Sequence, residues 1–294
     1  MFTLMMAVTY RCNADCPYCY AKNSRRIFKK DMSFIDFLDI TNKYIKEGGK
    51  NINLIGGEPT IWKNINYAII YCKLRGVTTT LITNGLKISK AKPDRVMMNV
   101  SHYLDPKTQK LFLSSIKYYS KNKIPITLRY NISLETKQAE IEKVKNLAIT
   151  FKANDIDLDP IVPFEVEKEM GEKIFKTASF FISFGVKCRL GNPIPPCIFS
   201  DNQREYLKKN AKLFFRCNAG EYMLINPDGK TISPCTKMFL PKDISELQGS
   251  FSNVSNVYKE DLEKIKNKVL QKCLDCDYFK EKKCFGGCMA PRVW

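Results

Sequence analysis

The sequence contains no run approaching the roughly 18 apolar residues that a membrane-spanning helix requires. Its opening, MFTLMMAVTYRC, is apolar but lacks a basic leader and a small-residue cleavage site, so it reads as a first strand and not as an export signal. These absences predict a cytoplasmic protein with no membrane partner. Disorder is excluded too: 294 residues, 44% hydrophobic and 27% charged, suffice for one large α/β domain with an appendage or two modest domains. Acidic residues are scarce, with 30 Asp and Glu against 48 Lys and Arg, giving a net charge of +18. That surplus suits a nucleic acid or an acidic peptide, and equally a set of solvated basic faces.

What the chain does have is 12 cysteines. Without an export signal they are not a disulfide framework, because the cytosol keeps thiols reduced. Metal or cluster ligation is the better reading.

From residue 4 to about 190, short apolar runs alternate with amphipathic helical patterns, as expected for βα units around a parallel sheet. Six strands are predicted, at 4–10, 51–55, 78–83, 96–101, 125–132 and 156–162, each followed by a helix. The first main helix starts at Ser33, which with Asp36 can satisfy orphan amides, and stops at Gly48 and Gly49. Phe34, Phe37, Leu38 and Ile45 would share its buried face. Later helices are expected at 64–74, 105–119, 136–151 and 166–184. The stretch GNPIPPCIFS continues neither periodicity, so a boundary is placed there, dividing the chain into 1–190 and 191–294. Beyond it lie a short helix, a hairpin at 222–226 and 230–233 turning at Pro227-Asp228-Gly229, and a mixed-charge helix at 261–270. Seven of the cysteines fall from Cys197 onward, a density that suggests metal or cluster bonds in place of core.

The sharpest motif follows the first strand: Cys12, Cys16 and Cys19, with gaps of three and then two residues. Structural zinc and ordinary four-iron clusters both take four protein ligands. Three thiolates leave one iron open to a substrate or cosubstrate, and loops at the C-terminal ends of parallel strands are the usual active-site face. The second predicted strand ends in Gly56-Gly57-Glu58-Pro59, where two glycines permit close backbone approach. The third ends in Thr83-Asn84-Gly85, which is also an ordinary turn.

The C-x3-C-x2-C pattern, with Tyr18 before its last cysteine, resembles the radical S-adenosylmethionine superfamily over roughly the first 190 residues. The resemblance implies a partial (β/α)6 TIM-like barrel in which Cys12, Cys16 and Cys19 hold a catalytic [4Fe-4S] cluster. Its open iron would chelate S-adenosylmethionine, whose reductive cleavage yields methionine and a 5′-deoxyadenosyl radical that abstracts hydrogen from a C–H bond. Tyr18, Gly56, Gly57 and Glu58 would be cosubstrate contacts, with Ser101, Arg129 and Asn131 at the ends of the fourth and fifth strands facing its ribose and carboxylate. His102, beside Ser101, is the only histidine and needs no catalytic role.

The C-terminal text, Cys217-x17-Cys235 and Cys273-x2-Cys276-x7-Cys284-x3-Cys288, resembles the SPASM extension, which carries auxiliary iron-sulfur clusters. A structural zinc knuckle is the plain alternative. Carried over, one or two auxiliary [4Fe-4S] clusters are implied: one on Cys217, Cys235 and Cys288 with Cys197 as its upstream ligand, the other on Cys273, Cys276 and Cys284. The usual final ligand of the second is missing, since the sequence stops at Trp294, and the gaps before Cys235 and Cys284 are longer than usual.

Two cysteines remain. Cys72 falls within a helical pattern and reads as core. Cys188 is either core or a hydrogen-atom donor near the barrel mouth, a catalytic role known among radical epimerases. The basic run at 22–30 is a solvated segment or a contact for an acidic substrate.

Enzymes of this layout often mature ribosomally made peptides by crosslinking, thioether formation or epimerisation. A peptide substrate is therefore expected, together with a reducing flavodoxin or ferredoxin. With the barrel beginning at residue 4, a separate leader-binding protein or the barrel itself would recognise the peptide. A small-molecule dehydrogenase or epimerase, an RNA-modifying enzyme, and a non-catalytic electron carrier or zinc protein are the alternatives. RNA is disfavoured by the lack of an aromatic-basic signature.

Overall fold

The computed structural model describes residues 3–161, 168–213, 215–221 and 223–293. In chain order the elements are β1 (Leu4–Thr9), α1 (Lys22–Ile27), α2 (Phe34–Lys46), β2 (Asn51–Gly56), α3 (Ile65–Leu74), β3 (Thr78–Thr83), β4 (Arg95–Asn99), α4 (Ser101–Leu104) and α5 (Gln109–Lys121). Then come β5 (Ile126–Ile132), α6 (Gln138–Thr150), β6 (Asp155–Pro160), α7 (Lys168–Ser183), β7 (Cys188–Leu190), α8 (Asp201–Asn210) and β8 (Ala211–Lys212). The remainder is β9 (Met223–Ile225), β10 (Thr231–Ser233), β11 (Lys242–Asp243), α9 (Val254–Val257), α10 (Lys259–Lys266), α11 (Gln271–Leu274) and α12 (Asp277–Lys280).

The expected alternation of strand and helix is present, and α2 shows its local cause. Ser33 Oγ accepts the Asp36 amide at 3.0 Å and donates back to the Asp36 carboxylate at 2.6 Å, closing the helix start. The buried stripe is Phe37, Ile40, Thr41 and Tyr44, so Phe34, Leu38 and Ile45 flank the buried face instead of forming it. Ser33→Ala removes both cap bonds and is expected to lower stability by about 1 kcal/mol in urea unfolding, with no change of fold.

Two compact units result. The first comprises residues 1–97, 121–124 and 218–264, as far as these are described. Its strands β3, β2, β1 and β9 run parallel side by side, and β9, β10 and β11 continue antiparallel. The hairpin after residue 218 thus extends the sheet beside β1. Its apolar strands are too short to announce that partner in the sequence. The second unit comprises residues 98–120, 125–217 and 265–294, again as far as described. Its strands β5, β6, β7 and β8 are parallel. Tyr130 of β5 meets Phe181 of α7 edge-on, their rings 6.3 Å apart, which seats that helix on one face of the sheet.

Several boundaries move. The fourth strand ends at Asn99, two residues early, because the Asn99 side chain accepts the Ser101 amide (3.1 Å) and hydroxyl (2.8 Å) and turns the chain into α4. The basic run, expected as a solvated segment or a contact for an acidic substrate, contains α1, with Lys22, Asn23, Arg26 and Ile27 exposed. The mixed-charge helix is Lys259–Lys266. Three expected limits, Val162, Val166 and Tyr222, lie outside the described residues.

Candidate functional site

In the first unit the loop after β1 carries Cys12, Cys16 and Cys19, all half-buried. A turn closed by the Cys19 amide on the Cys16 carbonyl (3.1 Å) sets the last two. The loop is gripped from α1. Lys22 Nζ donates to the Pro17 carbonyl at 2.7 Å, and Arg25 donates to the carbonyls of Tyr10 (3.3 Å) and Ala14 (3.0 Å). Cys19 packs on an apolar floor that includes Ala7, Tyr10, Ala21 and Ile55.

The electrostatics fit a cluster. Burial pushes the Cys16 thiol up to about 11, and the neighbouring Cys19 and Cys12 push in the same direction, while a Tyr18 hydrogen bond opposes them. Burial likewise raises Cys12, against a backbone hydrogen bond from Ala14. Cys12 and Cys16, whose thiols burial keeps protonated when alone, would become thiolates where iron replaces the protons.

The end of β2 explains the glycines. The Gly57 amide donates to Thr9 O (2.8 Å) and the Glu58 amide to Arg11 O (2.9 Å), drawing this segment against the residues that precede Cys12. Gly56 adopts φ +143°, and a Cβ on it would stand 1.9 Å from Thr9 O. A Cβ on Gly57 would stand 2.2 Å from Arg11 O. Tyr20, beyond the last cysteine, donates to Gly56 O at 3.0 Å.

Glu58, expected as a cosubstrate contact, has its side chain fully buried and its carboxylate engaged internally. Oε1 accepts from the Thr60 amide (3.0 Å), the Thr60 hydroxyl (2.6 Å) and the Thr83 hydroxyl (2.8 Å), and Oε2 from the Asn84 amide (2.7 Å). Burial raises its pKa, with those hydrogen bonds opposing. Asn84 in turn reaches the cysteine loop, its Nδ2 lying 2.8 Å from Asn13 Oδ1 and 3.8 Å from Cys12 Sγ. The Thr83-Asn84 segment, ambiguous with a plain turn in the sequence, is therefore a brace between β3 and the cysteines.

In the second unit Arg129 faces Asp157 (2.9 Å) and Asp159 (3.2 Å), and Arg189 also holds Asp157 (3.1 Å). Asn131 is in register with Asp159 on the same face of the sheet. Gly191 leaves room for this group, since a Cβ there would stand 2.4 Å from Asp157. Ser101 begins α4, bonded to Asn99. Cys188 starts β7 and alternates away from Arg189, which puts it on the opposite face with Leu190. It is buried and its thiol is pushed up to about 12, first by burial and then by Asp157, the setting of a core cysteine.

Among the described residues no three Cys, His, Asp or Glu side chains converge tightly enough for a single ion. A four-iron cluster spaces its thiolates more widely, because each binds a different iron. Of the C-terminal cysteines, Cys235 lies in the first unit and accepts the amides of Lys237 (3.4 Å) and Met238 (3.3 Å) on its sulfur. The other six lie in the second unit.

Residues 6–148 match the Radical SAM superfamily. The chain contains a radical SAM domain. Curated relatives include the GTP 3′,8-cyclase of Rhizobium leguminosarum bv. trifolii, 38% identical over 94 residues that cover 30% of this chain and 26% of that protein. The chain thus spans about a quarter of that cyclase. A longer match is the S-adenosylmethionine-dependent nucleotide dehydratase of Flammeovirga pacifica, 28% identical over 240 residues, 74% of this chain and 78% of that protein. Among solved structures, Streptococcus suis SuiB bound to S-adenosylmethionine has a TM-score of 0.67 at 16% identity over 99% of this chain and 73% of its own. SuiB bound to its precursor peptide SuiA gives 0.68 at 15%, over 99% and 72%. At such identities the likeness is one of fold.

Within the radical SAM domain, sequence reasoning found the thiols and missed what holds them. Lys22 and Arg25 looked like surface charge because carbonyl acceptors leave no mark in a sequence. Arg25→Ala removes two loop bonds and is expected to speed loss of iron from the reconstituted protein several-fold. Release to a chelator, followed by absorbance, checks it.

Proposed function

We propose that the protein is a radical SAM enzyme, with Cys12, Cys16 and Cys19 holding a [4Fe-4S] cluster and S-adenosylmethionine as cosubstrate. The observation that carries this reading is the trio of facing thiols in a loop braced directly against Gly56, Gly57 and Asn84. When bound, the cluster and cosubstrate supply reductive cleavage to methionine and a 5′-deoxyadenosyl radical, which takes hydrogen from a substrate C–H bond. The chain's own residues position and exclude. Arg25 and Lys22 fix the loop carbonyls, Tyr18 orients the Cys16 sulfur, and the two glycines bring bare backbone beside the thiols. Glu58 stiffens the rim, so its contribution to cosubstrate binding runs through backbone and through Asn84. Arg129, held by Asp157 and Asp159, is with Ser101 and Asn131 the cosubstrate contact that the resemblance implies in the second unit. Cys188 is buried and alternates with Arg189 onto the face shared with Leu190, which suits the core more than hydrogen donation.

From residue 191 the chain is read as a SPASM-like segment with auxiliary [4Fe-4S] clusters, and peptide maturation is the leading substrate class. The cysteine-rich C-terminal part and SuiB's complex with its precursor peptide support it. A flavodoxin or ferredoxin would supply the electron, and a separate protein could present a leader. The 240-residue match to a nucleotide dehydratase favours a second reading, a nucleotide substrate.

Anaerobic reconstitution, reduction and addition of S-adenosylmethionine should yield 5′-deoxyadenosine. Absence of that product with iron in place would overturn the proposal. Stimulation of the yield by a candidate precursor peptide, and not by nucleoside triphosphates, supports the first substrate reading; the reverse supports the second.

A further inference from the structure

The second unit brings together cysteines that the resemblance assigns to different clusters. The segment carrying Cys197 is pinned at two points by glycines. Gly171 of α7 lies so close to Ile198 that a Cβ would stand 2.0 Å from the Ile198 carbonyl, and a Cβ on Gly287 would stand 3.0 Å from the Pro195 ring. Gly286, the neighbour of Gly287, donates its amide to Cys284 Sγ at 3.3 Å, and its Cβ position is 3.7 Å from Cys273 Sγ. One short turn, Cys284-Phe285-Gly286-Gly287, therefore touches Cys273 on one side and the Pro195-Pro196-Cys197 segment on the other. Cys276 is one turn from Cys273, its amide on the Cys273 carbonyl at 3.1 Å. Charge effects agree: Cys197 feels Cys273 and Cys276, and Cys284 feels Cys197 and Cys273.

We infer that Cys197 joins Cys273, Cys276 and Cys284 as the fourth thiolate of one iron-sulfur cluster. The set is thereby complete at four thiolates. The inference rests on reading the C-terminal cysteines as cluster ligands, and it removes Cys197 from the Cys217, Cys235 and Cys288 set. Each thiol gives up its proton on ligation. The site also holds a counter-charge. The Arg292 guanidinium is drawn in among Cys217, Cys273, Cys284 and Cys288, held by the carbonyls of Ile265 (3.4 Å), Phe285 and Gly286 (3.2 Å). Two of those sulfurs, Cys273 and Cys284, belong to the proposed cluster, and a half-buried cation beside them is favourable when they are anionic.

Cys197 is exposed, so a thiol reagent reaches it unless it is ligated. The test is iodoacetamide labelling of the anaerobically reconstituted full chain, read by mass spectrometry alongside iron analysis. Cys197 should be protected in the wild type and released in Cys273→Ala/Cys276→Ala. It should stay protected in Cys217→Ala/Cys288→Ala. Protection of Cys217 and Cys288 in the first variant reports that the segment remains folded; Cys273→Ser/Cys276→Ser is the substitute if it does not. Release of Cys197 only in the second variant, or labelling in the wild type, overturns the inference. The same preparations are assayed for 5′-deoxyadenosine. Product with Cys197 labelled sinks this cluster alone, whereas protection without product sinks the proposed activity.

Discussion

Replacing Cys16 with Ala is expected to abolish 5′-deoxyadenosine formation by the reduced protein and to lower iron by up to about four per chain. Cys16 is the middle thiol of the trio and is acted on by both others. The fold should survive, because the loop is fastened by Lys22 and Arg25 through carbonyls and not through the sulfurs. Far-UV circular dichroism of the variant should match the wild type. Cys72 is the control: it is buried in α3 with its thiol pushed up to about 12 by burial, and Cys72→Ala should leave the yield intact. Undiminished cleavage by Cys16→Ala would remove the basis for placing the cluster in this loop.

Glu58→Ala should destabilise the chain by about 3 kcal/mol or more, since four donors from Thr60, Thr83 and Asn84 lose their buried acceptor together. Glu58→Gln is expected to be milder. It can keep the three bonds to Oε1, but one arm of its amide then faces the Asn84 amide donor to donor. The pH dependence has a definite sign. Burial raises Glu58 above its ordinary value of 4.5, so the folded chain holds that proton more tightly than the unfolded chain does. Its contribution is fully present below that ordinary value and is lost as pH rises through the raised one. Urea midpoints of wild type and Glu58→Gln, compared from about pH 4.5 upward, should converge if this is right. A gap that widens with pH would refute it.

Much of this was legible in the sequence because the relevant physics is local. The Ser33 cap, the alternation that marks β5 and β6, and the three-cysteine spacing each depend on residues a few positions apart. What was not legible depends on distant partners. The resemblance assigns Glu58 to cosubstrate contact, and nothing in its neighbourhood reveals that Thr83 and Asn84 lie across from its carboxylate. Arg129 was singled out as a rim residue, but its clamp by Asp157 and Asp159 comes from strand register. The resemblance groups Cys197 with Cys217, Cys235 and Cys288, whereas the close approaches at Gly286 and Gly287 bring its segment toward Cys273 and Cys284.

The grip of α1 on the cysteine loop also bears on how the centre is made and kept. The outline of that loop is drawn by carbonyl and amide bonds that involve none of its three sulfurs. On the proposed function, a cluster lost from this loop would leave behind a container that needs refilling and not refolding.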